Sequence, residues 1–108
     1  IEELYEKIGE DEYIIQGKMP IDDFNETFGT NLHMNDVDTM AGYMITDLGV
    51  IPEKDQALSI EAEHVMLTTR TVEGTRLLEL TAKIHEKEDE SEEEKYRRLK
   101  LGDKDKEE

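Results

Sequence analysis

The sequence predicts an α+β fold: a small antiparallel sheet of about four strands with two short helices packed on one face. Three observations predict it. From Leu58 onward apolar residues recur at period two. From Val37 to Leu48 they recur at i, i+3, i+4, i+7, i+8 and i+11. Gly49 and Pro52 separate these two patterns.

Taken in order, residues 1–11, IEELYEKIGED, read as the end of a helix entering from an upstream part of a longer protein. The stretch EYIIQGKMPI from Glu12 reads as a short strand, a turn at Gln16 and Gly17, and an extended exit, because Met19 precedes Pro20. A helix follows. Asp23 and Glu26 stand at capping-box spacing, Phe24 and Phe28 share a face, and Gly29 is placed to end the helix in the left-handed conformation.

The second helix carries the stripe Val37, Met40, Ala41, Met44, Ile45, Leu48, with Asp36 and Asp38 at its start and Gly49 and Pro52 after it. Gly42 sits inside that helix, where it costs about 1 kcal/mol relative to alanine. Its plainest explanation is close packing against a strand or the first helix. Strands are then expected at about 57–61, 64–71 and 76–84, the last two joined by the hairpin turn VEGT. An antiparallel meander results, with both helices over one face.

Residues 86–108 are too poor in apolar side chains to cover a core and are expected to form a charged tail. The domain proper is therefore 12–85. With 29 acidic and 13 basic residues the chain has a formal net charge of -16, a field that disfavours nucleic acid and anionic membrane surfaces. No apolar run is long enough to span a bilayer, so direct membrane insertion of this chain is not expected. There is no cysteine for a disulfide, a thiolate metal site or a thiol nucleophile.

Side-chain chemistry is sparse. His33, His64 and His85 fall in a loop, a strand start and the tail, without metal-ligand spacing. Asp36 and Asp38 lack the glycine and distal glutamate of a calcium loop. Phosphate-binding glycine motifs and serine-nucleophile settings are absent. The chain reads as a non-enzyme with no catalytic and no metal-ligating residues. Phe24, Met40, Gly42, Tyr43 and Ile45 are the candidate interaction residues, with Tyr43, beside the apolar stripe, the one most readily offered to a partner. Gly42 and Tyr43 are also the candidates for contact with a flat cofactor.

With these segments laid out, the chain resembles the CorC/HlyC transporter-associated domain. The resemblance rests on P-[IL]-D-[ED]-[FL]-N around Pro20 to Asn25 and on D-x-D-T-[LM]-[AG]-G-[YLF]-x-x-x-x-x-G-x-I-P. The second motif is matched by Asp36, Asp38, Thr39, Met40, Ala41, Gly42, Tyr43, Gly49, Ile51 and Pro52. The chain departs from the pattern at Glu63 and His64, where many members carry two glycines, at Leu67, and at Lys54 and Asp55.

The resemblance implies a non-catalytic accessory module of a membrane-anchored magnesium and cobalt efflux or haemolysin-like protein, on the cytoplasmic side. It implies a nucleotide-binding CBS pair and a membrane domain upstream as partners, residues 1–11 as the linker from that pair, and a homo-oligomer such as a dimer. No cofactor is required. The family's likeness to part of FAD-binding oxidoreductases makes a flavin or adenine-nucleotide site the alternative.

Overall fold

The computed structural model describes residues 3–85 of the 108. Its elements are β1 (Tyr5–Lys7), β2 (Glu12–Gln16), α1 (Ile21–Phe28), α2 (Met40–Leu48), β3 (Ser59–Ala62), β4 (Val65–Glu73) and β5 (Arg76–Ile84). The strands form one five-stranded sheet in the order β1-β2-β5-β4-β3, every neighbouring pair antiparallel. The expected α+β architecture is present, with one strand more than the sequence signals. The expected tail lies outside the described residues.

The extra strand is a correction. Residues 5–7, expected within a linker helix, pair with β2 through Tyr5↔Ile15, Glu6↔Ile14 and Lys7↔Tyr13. A segment of this length gains little from helix formation alone. The turn at Gly9, whose N–H donates to the Glu12 carbonyl at 3.2 Å, folds it back instead. Tyr5 then enters an aromatic cluster, its ring centroid 5.8 Å from that of Phe28 and 6.3 Å from that of Tyr13, with Tyr13 and Phe28 at 5.0 Å. Edge-to-face packing of this kind adds about 0.5–1.5 kcal/mol per pair beyond area burial.

The alternation within the strands decides which face is covered. Ile15 pairs with Leu80, and Leu67 with Ala82. All four are fully buried, as are Phe24 on α1 and Met40 and Met44 on α2. Each of these side chains except that of Ala82 contributes about 1.5–3 kcal/mol by leaving water. Helix α2 lies over β5 and α1 packs against α2.

Both helices begin elsewhere than expected. Helix α1 starts at Ile21 with Pro20 as its N-cap and no side-chain cap, so Asp23 is a first-turn acid and not the capping residue. Pro20 has no N–H to lose and the preset φ suits a helix start. Helix α2 starts at Met40, with Thr39 as its cap and Val37 ahead of it rather than in its stripe. Thr39 Oγ1 accepts from the Gly42 N–H at 3.1 Å. Gly29 and Gly49 end the two helices in the left-handed conformation, as their positions in the sequence indicate.

Asn25 ties down the loop after α1. Its Oδ1 accepts from the Leu32 N–H at 2.9 Å and from Thr30 Oγ1 at 2.6 Å, while its Nδ2 donates to the Leu32 carbonyl at 2.9 Å. The β3–β4 hairpin then closes over the end of α1. Its turn residue Glu63 stands at φ 56, a conformation glycine adopts freely and glutamate holds at a cost of about 1 kcal/mol or more. The same side chain accepts from the Asn31 N–H at 2.7 Å, and His64 Nε2 lies 3.1 Å from the Phe28 carbonyl oxygen, placed to donate to it. Two contacts that a glycine pair could not make thus hold the hairpin to the helix.

Candidate functional site

A cleft of about 710 Å³ opens between the N-terminal half of α2, the turn after β2 and the tip of the β4–β5 hairpin. Gly17 makes the turn possible. Its N–H donates to the Leu78 carbonyl at 2.7 Å and its carbonyl accepts from the Ala41 N–H at 2.9 Å. A Cβ at this position would fall 2.2 Å from the Leu77 carbonyl oxygen and 3.0 Å from the Ala41 Cβ. The strand, the hairpin and the helix meet here because one residue has no side chain.

The same junction satisfies the start of α2. Met40 N–H donates to the Met19 carbonyl at 2.9 Å, Ala41 to Gly17, Gly42 to the Thr39 hydroxyl and Tyr43 to the Thr39 carbonyl at 2.9 Å. The N–H groups that a helix start ordinarily leaves for an anion are taken by the fold itself.

Ala41, Ile45, Leu77 and Leu78 give the cleft its apolar lining, and Lys18 and Arg76 stand exposed at its mouth. Glu79 also lines it; its Oε1 accepts from Thr71 Oγ1 at 2.8 Å and its Oε2 from Gln16 Nε2 at 3.3 Å. The hairpin reaches the cleft through a bulge in β4, where the register shifts between Thr69 and Thr71 and leaves Arg70 outside the ladder.

The five candidate residues do not form one site. Gly42 and Ile45 line the cleft. Phe24 and Met40 are wholly buried, so they hold the helices in place and present nothing outward. Tyr43 is half-buried and does not line the cleft. Burial first, then the nearby Asp47 and Glu63 carboxylates, raise its phenol above its ordinary 10.0. The close packing expected at Gly42 against a strand or the first helix is not found. A Cβ there would meet Val37 Cγ1 at 3.0 Å and the Thr39 hydroxyl at 3.3 Å, both from the residues that lead into the same helix.

Sequence reasoning missed Arg76 and the two leucines after it as site residues. Residues 76–84 were expected as a strand, but only the bulge and the neighbouring turn show that its first residues border a cleft. Among the described residues no group of three or more histidine, cysteine or carboxylate side chains could hold a metal ion.

Comparison with known proteins identifies this architecture. A hemolysin domain from Enterococcus faecalis V583, known from its crystal structure, is 50% identical, with a TM-score of 0.76 over 78% of this chain and 100% of that one. The UPF0053 protein YhdP of Bacillus subtilis (strain 168) is 34% identical over 68 residues, 61% of this chain. The magnesium and cobalt efflux protein CorC of Buchnera aphidicola subsp. Acyrthosiphon pisum (strain APS) is 33% identical over 55 residues, 51% of this chain. The matched regions are 15% and 19% of the lengths of those two proteins. The family model for the transporter associated domain CorC_HlyC matches residues 6–96, and the chain belongs to that family.

Proposed function

We propose that this chain is a non-catalytic accessory domain of a membrane-anchored divalent-cation transport or efflux protein, and that it acts by contact with neighbouring domains or with a second copy of itself. The observation that carries the proposal is the family match over residues 6–96, with the similarity to a protein named for magnesium and cobalt efflux. On this reading its partners are an upstream CBS pair and a membrane domain of the same protein, and it works on the cytoplasmic side of the membrane. The groups that line the cleft suit contact: an apolar lining bordered by the polar side chains of Lys18, Arg76 and Glu79.

A flavin or adenine-nucleotide ligand is the weaker alternative. The cleft is large enough for one, but the leading N–H groups of α2 are already bonded and cannot receive a phosphate.

The test is made in the full-length protein that carries this chain, expressed in cells lacking their own cobalt efflux. Intracellular cobalt is measured with the domain present and removed. Removal is expected to change cobalt retention while the membrane part still accumulates. Equal retention in both, at equal protein levels, would refute the accessory role.

A further inference from the structure

We propose that β1 is a displaceable cover over the edge of β2, and that a second copy of this chain pairs with that edge through its own β2 once β1 has left it. The inference deepens the contact with a second copy argued above and rests on it.

The first ground is how lightly β1 is held. It has three residues, all exposed, at one end of the sheet, with β2 alone beside it. Its ring, Tyr5, leans on Tyr13 and Phe28 and is still 42% exposed. A segment with so little buried surface opens at a lower free energy than the core. Opening it bares a strand edge. The Gln16 N–H donates to the Leu4 carbonyl and the Ile8 N–H to the Glu12 carbonyl, so Glu12, Ile14 and Gln16 turn their backbone groups toward β1. Without β1 those groups form an unpaired row in a strand that holds Tyr13, Ile14 and Ile15.

The second ground is that β2 imitates β1. Gly9 follows Tyr5 at the same spacing as Gly17 follows Tyr13. In β1 the tyrosine stands opposite Ile15. Laid antiparallel about Ile14, the β2 of a second copy sets the partner's Tyr13 opposite that same Ile15, an aromatic and β-branched pair of the stabilising kind. The other pairs are Ile14 with the partner's Ile14 and Glu12 with the partner's Gln16, so no like charges are opposed. Residues 13 and 15 share one face of the sheet and 12, 14 and 16 the other, and the pairing therefore joins the two sheets face for face. The general negative charge works against association, but at physiological ionic strength it acts over only about 8 Å. Within β2 the only charged side chain is that of Glu12.

The first measurement is sedimentation equilibrium, at about 0.15 M salt, of the intact chain and of a variant that lacks residues 1–9, with circular dichroism to follow folding. The shortened chain is expected to dimerise at a concentration on the order of tenfold lower than the intact one. Ile14→Lys, which sets like charges opposite each other at the centre of the pairing, is expected to reverse that gain. The register is read with Ile14→Cys, since the chain has no cysteine of its own. Residues opposed in this way have Cα atoms about 5.5 Å apart, within reach of a disulfide. Mild oxidation of the shortened chain is expected to link Ile14→Cys at least tenfold faster than Ser59→Cys, which is exposed on the opposite edge strand. Should the shortened chain not fold, Tyr5→Ala in the intact chain carries the same cross-linking comparison with the same expected result.

A folded, shortened chain that stays monomeric, or cross-linking as fast at Ser59→Cys as at Ile14→Cys, would overturn the proposal. Either failure leaves the cobalt-retention result standing, because contact with neighbouring domains also meets that reading. Dimerisation through Ile14 alongside unchanged cobalt retention would instead remove only the transport role.

Discussion

A methyl group at Gly17 would collide with the Leu77 carbonyl at 2.2 Å, which is backbone and has no room to move; at Gly42 it would press on a valine methyl and a hydroxyl, which can give. Gly17→Ala is expected to cost about 2 kcal/mol or more. In Gly42→Ala the gain in helix propensity of about 1 kcal/mol offsets the crowding and leaves stability within about 1 kcal/mol of the parent. Urea unfolding of the two variants checks the order, and a larger loss at Gly42 would contradict it. The sequence drew attention to the wrong glycine for a physical reason. A glycine inside a helical pattern departs visibly from propensity, whereas one in a turn looks ordinary until the fold shows what lies across from it. Tyr43 gives a pH prediction. Its phenol holds its proton more tightly folded than unfolded. The stabilisation is full below the unfolded value near 10.0 and declines as pH rises through the folded one. Tyr43→Phe should lack that alkaline decline in urea-unfolding stability; an identical slope in both proteins would show that the residue does not titrate in this way.

Among the elements, α2 and the β4–β5 hairpin were the most legible, because an apolar stripe at helical period and two runs at period two leave little choice of secondary structure. Strand β1 was not legible. Leu4, Tyr5 and Ile8 suit a helix face as well as a strand, and only the rings of Tyr13 and Phe28 decide between them. Tyr5→Ala is accordingly expected to release β1 while the rest of the sheet stays folded. The amide of Gln16, which donates to the Leu4 carbonyl at 2.9 Å, should lose protection from hydrogen exchange, and those of β4 and β5 should keep theirs. A uniform loss of protection across the sheet would mean that β1 belongs to the cooperative core. The start of α2 was displaced for a related reason. Asp36 and Asp38 offered plausible caps in the sequence, but Thr39 occupies the position from which a side chain reaches the Gly42 N–H.

At the level of the whole molecule, the net charge of -16 opposes compaction, since like charges are brought closer on folding. Raising sodium chloride from about 0.01 M to about 0.15 M shortens the screening length from about 30 Å to about 8 Å. The midpoint of thermal unfolding should rise by several degrees over that range; a fall would mean that specific ion pairs outweigh the general repulsion. Overall architecture was readable because pattern and punctuation agree along most of the chain. The cleft was not, since it depends on where one strand stops beside a longer neighbour. The strand order also fixes where the chain crosses the sheet boundary. It enters at Leu4, bonded to Gln16, and leaves at His85, whose N–H donates to the His64 carbonyl at 2.7 Å, at the opposite end of the strands. Tension between these two points runs along the strands and at right angles to the ladder bonds. Those bonds are then strained together in shear instead of parting one after another, so the sheet would pass on a pull as a stiff link.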